Sequence, residues 1–307
     1  MIDITVIGFG NVGSSLCLLL LNNKHPLRLN VMEPDKQAEG AFLDLAHGMP
    51  LYPGKELHVN NEDLFLNADF IFFTAGVPNL HGGSRLSTAK QNIQLSKDIF
   101  EHRTFSKIPY VIVITNPVDI ISHSVYQFSG LPSDHVIGTG TFLDSVRLNY
   151  YLSTLSNYKA NDFDAFVLGE HGSSQVPAFS MTKLKGQSIL DNSAFSTQDL
   201  ELAKKLTKTA AYQIRETQPG TTYGVSKCAE VLLDYLLGTE EHLLALSMLT
   251  NEHYRKLLNL DHDIYIGMPV KLKKGNIEVY NEINLSVEER EAYCKSAAIL
   301  AEIILND

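Results

Sequence analysis

The chain has 307 residues, 44% of them hydrophobic and 20% charged, which is the composition of a globular protein long enough for one large or two ordinary domains. With 25 basic against 35 acidic side chains the net charge is −10, which argues against nucleic acid or an anionic membrane surface as a partner. Cys17, Cys228 and Cys294 are far apart and outside any C-x-x-C or mixed Cys/His cluster, so a reducing compartment is expected, with no disulfide framework and no metal site.

The N-terminus runs straight into an apolar stretch with no basic region before it and no small-residue cleavage site after it, so it does not read as a signal peptide. The longest apolar run, Leu16 to Leu21, is too short to span a bilayer, and a cytoplasmic location is expected. Ile4 to Ile7 is a short continuous apolar run ending at glycine, which predicts a strand buried on both faces. Gly8-Phe9-Gly10-Asn11-Val12-Gly13 follows, and Ser14 to Asn23 reads as a helix. A G-x-G-x-x-G is weak alone; between a strand and a helix it predicts a dinucleotide site. Gly8 would make the tight turn and Gly10 would let a pyrophosphate approach the backbone. Gly13 would let the helix pack closely on the sheet, its N-terminus facing the anion.

Leu27 to Met32 reads as the next strand, and Glu33 follows it, 25 residues after Gly8. An acid there can accept hydrogen bonds from both ribose hydroxyls and would repel a 2′-phosphate, which favours NAD over NADP; the competing reading is a plain surface loop residue. Residues 35 to 47 read as a helix ending at His47-Gly48. Asp69 to Thr74 is another buried strand, closing on Thr74-Ala75-Gly76, and Tyr110 to Thr115 a further one, closing on Asn116-Pro117-Val118-Asp119. Strand endings of this kind, each followed by a helical segment, indicate a parallel sheet whose carboxyl edge binds the ligand. Between those two strands, Pro78 to Arg85 carries a glycine pair before an arginine. It reads either as a lid that brings a charge onto a substrate or as an ordinary surface loop.

Thr141 to Leu155 reads as a helix in which Asp144 and Arg147, three apart, share a face. They form either a surface ion pair or part of a site. Ala165 to Leu168 is an apolar run that ends at Gly169-Glu170-His171-Gly172, placing a histidine between glycines at an element boundary. A histidine held by a carboxylate, with a guanidinium one turn from that carboxylate, suits proton transfer on an anionic substrate. Residues 198 to 214, 223 to 237 and 286 to 304 read as helices, and Leu243 to Leu249 and Ile264 to Val270 as strand-like runs. Ser286 with Glu289 three residues on predicts a capping box. The expected fold class is α/β: a Rossmann-type doubly wound parallel sheet over residues 1–140, followed by a mixed α+β substrate domain over 141–307.

Taken in order, the motifs GFGNVG, Asp44 to Gly48, TAGVP, Arg85, TNPVD, Gly140 to Arg147, GEHG and a late YIGMP resemble those of the L-lactate and malate dehydrogenase family, in particular its lactate dehydrogenase-like branch. The resemblance covers nearly the whole chain. It implies an NAD-dependent L-2-hydroxy acid dehydrogenase with His171 as proton donor and acceptor and Asp144 hydrogen-bonded to its far ring nitrogen. Arg147 would grip the substrate carboxylate as a two-pronged fork. Arg85 would polarise the carbonyl that accepts hydride, Asn116 would hydrogen-bond the substrate oxygen, and Thr221 would wall the pocket. Asn92 and Val225 would complete the cofactor-binding set with Gly8, Gly10, Asn11, Val12, Gly13, Glu33, Thr74, Ala75 and Gly76. The family forms homo-oligomers, dimers or tetramers.

Asn79 stands where lactate enzymes of this type carry glutamine and malate enzymes carry arginine. A neutral side chain there argues against a dicarboxylate, whose second charge would be desolvated without a partner. It is also shorter than glutamine, so pyruvate is the first expectation, with bulkier 2-keto acids open. Ser173 stands where the family generally has aspartate. Asn149 and Asp164 occupy the positions at which many bacterial relatives bind an activating sugar bisphosphate, and no such activation is expected. The competing readings are a malate dehydrogenase with another counter-charge and a catalytically idle NAD-binding protein on the same scaffold.

Overall fold

The buried apolar runs pair as parallel strands, and where they end decides where ligand can bind. The computed structural model describes residues 1–77, 85–218 and 220–305, with the side chains of 85–87 and 305 also outside the description. Two compact units divide the chain: Met1–Gly138 with Thr222–Asp234, and Thr139–Thr221 with Tyr235–Asp307.

The first unit runs β1 (Ile2–Ile7), α1 (Asn11–Asn22), β2 (Leu27–Met32), α2 (Glu39–His47), β3 (Lys55–Val59), α3 (Glu62–Leu66), β4 (Phe70–Phe73), α4 (Arg85–Phe100), β5 (Tyr110–Val113), α5 (Val118–Ser129) and β6 (Val136–Gly138). Its strands lie side by side in the order β3-β2-β1-β4-β5-β6, all parallel. The order reverses between β1 and β4, the switch point at which doubly wound sheets open a crevice at their carboxyl ends. Ile7 is in register with both Met32 and Phe73, so Gly8, Glu33 and Thr74 all leave the sheet from that edge. Val6, Phe72 and Ile112 are fully buried, as strands covered on both faces require.

Three details differ from the sequence reading. Helix α1 begins at Asn11, so the last glycine of the turn lies inside its first turns. The segment 35–47 is not one helix: the Asp35 carboxylate accepts from Gln37 N at 2.9 Å and holds a 3₁₀ turn at Lys36–Ala38 before α2 starts. Strand β3 has no buried residue; it is the outer strand of the sheet, with Glu56 paired to Arg28 of β2 at 2.8 Å.

The rest of the chain runs α6 (Phe142–Thr154), β7 (Phe163–Asp164), β8 (Val167–Leu168), β9 (Val176–Pro177), β10 (Lys183–Leu184), β11 (Gln187–Ser188), α7 (Thr197–Arg215), α8 (Tyr223–Leu237), β12 (His242–Leu249), α9 (Glu252–Leu258), β13 (Tyr265–Lys273), β14 (Asn276–Val279) and α10 (Val287–Leu305). In the second unit β12, β13 and β14 form an antiparallel meander, β7, β10 and β11 a small antiparallel sheet, and β8 pairs with β9. Leu148 and Leu152 of α6 pack with Phe163, Val167 and Ala203 in one buried cluster, which fixes α6 against the strand leading to Gly169. The capping box of α10 forms as its sequence predicts: Glu289 N donates to Ser286 Oγ at 3.2 Å and Ser286 N to Glu289 Oε2 at 3.0 Å.

Residues Thr222–Asp234 belong to the first unit, a return of the chain that a single division at residue 140 does not contain. The Ser226 hydroxyl donates to Val12 O at 3.1 Å, and Asn23 Nδ2 donates to Glu230 Oε1 at 2.6 Å and to Asp234 Oδ1 at 3.0 Å. These bonds fix α8 to both ends of α1.

Candidate active site

The carboxyl edge of the first unit is built so that backbones can approach one another closely. Gly8 has φ +94°, and a Cβ there would lie 2.6 Å from Ala75 N. A Cβ on Gly13 would lie 2.1 Å from Gly8 O, so the helix can meet the turn only with glycine at that position. The Thr74 hydroxyl donates to Ile7 O at 2.9 Å and Gly8 O at 3.0 Å, locking the two strand ends at the switch point. Gly10 caps α1 without a side-chain hydrogen bond, no acidic residue stands in the first turn, and a Cβ on Gly10 would meet nothing within 4 Å. Open space over amides at a helix N-terminus, where the dipole favours negative charge, suits a pyrophosphate.

Glu33 is anchored from several sides. Its Oε2 accepts from Phe9 N at 2.8 Å and its Oε1 from Asp35 N at 3.0 Å. Asn60, with φ +48°, clasps the Glu33 backbone: Oδ1 accepts from Glu33 N at 2.8 Å and Nδ2 donates to Glu33 O at 3.0 Å. Each carboxylate oxygen has a second acceptor position, so a pair of ribose hydroxyls is compatible with this arrangement and a phosphate is not. The part played by Asn60 was not legible in the sequence; asparagine tolerates the left-handed backbone that it adopts here.

In the second unit, α6 presents Asp144 in its first turn, almost fully buried, with the carboxylate bonded on both oxygens. Arg147 Nη1 donates to Oδ1 at 2.8 Å, and His171 Nδ1 lies 2.7 Å from Oδ2. Burial pushes the Asp144 carboxyl up, but the charges and hydrogen bonds of His171 and Arg147 outweigh it and hold it below the ordinary carboxylate range. An ionised carboxylate only accepts, so Nδ1 carries the hydrogen in this contact.

Two further side chains of α6 set the strand that delivers His171. Val167 N donates to Ser145 Oγ at 2.9 Å and Ala165 N to Asn149 Oδ1 at 3.0 Å. The two amides are two residues apart on an extended segment and point the same way, while Ser145 and Asn149 are one helical turn apart. Asn149, weighed in the sequence for an effector site, thus bonds the protein backbone. Beyond β8, Gly169 exchanges backbone hydrogen bonds with Gly267 of β13 at 2.9 and 3.1 Å, and Gly172 N closes a tight turn on Glu170 O at 2.8 Å.

The remaining sequence-predicted residues distribute as follows. Asn92 is buried, with Oδ1 accepting from Val77 N at 2.7 Å and Nδ2 donating to Asn116 O at 2.8 Å, so its amide ties together the chain beyond β4 and the chain beyond β5. Ala75 and Gly76 lie in that same segment, and Ala75 O accepts from the Thr115 hydroxyl at 2.7 Å. Asn116 is exposed at the end of β5, Thr221 is half-buried just before α8, and Val225 is half-buried in the first turn of α8. Asn79 lies outside the described residues; Arg85 is the first residue of α4, and its side chain is outside them too.

Residues 2–138 match the model of the lactate/malate dehydrogenase NAD-binding domain, and residues 141–306 that of the lactate/malate dehydrogenase α/β C-terminal domain. The chain belongs to the lactate/malate dehydrogenase family. Among the relatives of this family, L-lactate dehydrogenase 1 of Peribacillus psychrosaccharolyticus is 30% identical over 309 residues, 98% of this chain and 95% of that one. L-lactate dehydrogenase 1 of Staphylococcus aureus strain USA300 is likewise 30% identical, over 307 residues with the same coverage. A lactate dehydrogenase from a Medee basin deep-sea metagenome superposes with a TM-score of 0.87 at 27% identity, covering 99% of this chain and 98% of that one. Malate dehydrogenase of Cryptosporidium parvum reaches the same TM-score at 26% identity, covering 100% and 99%. This lactate/malate dehydrogenase family member is therefore an NAD-dependent 2-hydroxy acid oxidoreductase, and the glycine edge with Glu33 fits that cofactor. Among its described residues, no helix is long and apolar enough to cross a membrane.

The depressed carboxyl of Asp144 makes a prediction about acid stability. A group whose folded pKa lies below its unfolded value, about 3.9 for aspartate, contributes fully above that value and loses its contribution as pH falls through the lower folded one. Asp144→Asn should thus be less stable than wild type at pH 7, on the order of 2 kcal/mol for a lost charged hydrogen-bond partner. The gap, read as urea midpoints across a pH series, should narrow below about pH 3.9. A gap that stays constant into acid contradicts the ion-pair account.

Proposed function

We propose that the protein interconverts pyruvate and L-lactate with NADH and NAD, and that His171 moves the proton. The observation that carries this reading is the buried Asp144 shared by His171 and Arg147. In the reductive direction, NADH held at the glycine edge would supply the hydride for the keto carbon. The substrate oxygen, gaining the electron pair, takes the proton from Nε2 of His171, and the imidazole is left neutral and hydrogen-bonded to Asp144. Negative charge building on that oxygen would be met by the imidazolium, with Arg85 proposed from the resemblance as a second positive group. Arg147 uses one of its five N–H donors on Asp144, which leaves enough to grip a carboxylate in two places. Asn116 hydrogen-bonds the substrate oxygen and Thr221 walls the pocket, while the edge formed by Gly8 to Gly13, Glu33, Thr74 to Gly76, Asn92 and Val225 serves the cofactor. Most of the cofactor set lies in residues 1–140, with Val225 added by the returning segment Thr222–Asp234, and the proton-transfer residues lie in 141–307.

The choice of lactate over malate rests on Asn79, a neutral side chain where a dicarboxylate needs a positive one. The second reading, a malate dehydrogenase, has support in the equal structural likeness to the Cryptosporidium enzyme. We further propose that the working form is a homo-oligomer, because α2 carries Phe42, Leu43 and Leu45 without one buried residue, and Leu51 just beyond it is 81% exposed.

His171→Ala and Arg147→Ala should each lower kcat by about 100-fold to 1,000-fold while NADH binding, followed by fluorescence titration, survives. Wild-type turnover in either variant defeats the assignment. With saturating NADH, pyruvate should turn over faster than oxaloacetate, phenylpyruvate or 2-ketoisocaproate; an oxaloacetate preference would replace lactate with malate in the reading. Light scattering should give a mass of at least two chains, and a monomer at micromolar concentration would remove the oligomer.

A further inference from the structure

The loop that carries His171 is held by a helix far away in sequence. Gly169 has φ +90°, and a Cβ on it would lie 2.6 Å from Ser296 Oγ on α10. Ser296 is fully buried. Its Oγ accepts from Glu170 N at 2.8 Å, across 126 residues of sequence, and lies 3.0 Å from Ser174 Oγ. The Ser174 hydroxyl in turn bonds Glu170 Oε2, which also accepts from Ser174 N at 3.2 Å. A carboxylate only accepts, so the hydroxyl protons run in one direction: Glu170 N–H to Ser296, Ser296 to Ser174, and Ser174 back to the Glu170 carboxylate. The bonds close a ring around the residue next to His171, and such rings polarise cooperatively in a buried setting.

The same helix face makes a second contact. Tyr293, three residues earlier and also fully buried, donates its hydroxyl to Gly267 O at 2.9 Å. That carbonyl is the one that accepts from Gly169 N. Helix α10 therefore holds both the loop and the strand residue against which the loop registers, and the peptide fixed by Ser296 is joined to His171 by a single Cα.

We propose that Ser296 is a positioning residue for the reaction, setting the distance of His171 from Asp144 through the backbone of Glu170. This rests on the reading of His171 as the proton donor. Ser296 touches no reacting atom. What it provides is an acceptor for a buried N–H whose displacement moves the imidazole, and misplacements of an ångström or less cost up to about 100-fold in rate.

The test uses Ser296→Ala, which removes the acceptor and keeps the Cβ, and Ser296→Cys, which keeps similar volume with a weak acceptor. The alanine variant should lose between about 10-fold and 100-fold in kcat, with KM for the keto acid and the dissociation constant of NADH within about twofold of wild type. The isotope effect with 4-deuterated NADH should rise, and the cysteine variant should fall between alanine and serine. A lower melting temperature with wild-type kcat and isotope effect would make Ser296 a packing residue and overturn the proposal. If the alanine variant fails to bind NADH, the cysteine variant decides: reduced kcat supports positioning and wild-type kcat overturns it. His171→Ala is run alongside. If it retains turnover, the reading of His171 falls and the inference with it; if it is inactive while both Ser296 variants match wild type, only the inference falls.

Discussion

A carboxylate buried almost completely at the start of α6 is stable only if its charge is met on both oxygens, and much of the second unit can be understood as meeting it. Arg147 comes without long-range cost, because three residues along a helix return to the same face. His171 must be brought from 27 residues away, and that requires the strand before it to be registered against α6 by Ser145 and Asn149. Removing the carboxylate leaves Arg147 and His171 without their shared partner, at a cost on the order of 2 kcal/mol for Asp144→Asn. The interaction that orients the histidine is therefore also one that the fold depends on, and the site cannot relax without a loss of stability.

The first unit solves a different problem, the approach of an anion to backbone. Its answer is to remove side chains at Gly8 and Gly13, where any Cβ would strike Ala75 N or Gly8 O, and to keep α1 uncapped. The hydroxyls of Thr74 and Thr115 and the amide of Asn92 then tie the strand ends to one another across a region of few side chains. The acid at Glu33 is the one charged group of the notch that sequence reading picked out, and its backbone is clasped by Asn60.

Most of this was legible where the signal was local. Buried parallel strands read as unbroken apolar runs, so β1, β2, β4 and β5 were visible, as were α6, α7, α8 and α10 from their periodicity. Strand β3 was not, because Lys55-Glu56-Leu57-His58-Val59 is an edge strand with no buried residue, and β6 through β11 are two or three residues long and carry no period. The pairing of Asp144 with Arg147 followed from spacing, while that with His171 came from the family resemblance alone. Ser145, Asn60 and Ser296 carried no signal: each is a small polar residue whose importance lies in one backbone amide or carbonyl that a distant part of the chain presents.

Under the proposed mechanism, charge counting links substrate binding to proton transfer in the second unit. Asp144 and Arg147 cancel, so the trio is neutral when His171 is neutral and carries one positive charge when it is protonated. A keto acid brings a carboxylate into this setting, and in a partly buried site an uncompensated anion is disfavoured. The proposed substrate thus binds better to the protonated histidine, the form that can complete the reduction, whereas the hydroxy acid leaves with its own proton from a neutral one. The hydroxy acid carries the same carboxylate, so its pairing with the neutral ring comes from its hydroxyl, which can donate to an unprotonated ring nitrogen and not to a protonated one. Under the proposed mechanism the substrate carboxylate favours the charged ring and the substrate oxygen reads its proton, and both effects depend on the ring staying on Asp144, so the backbone that delivers His171 matters as much as the ring itself.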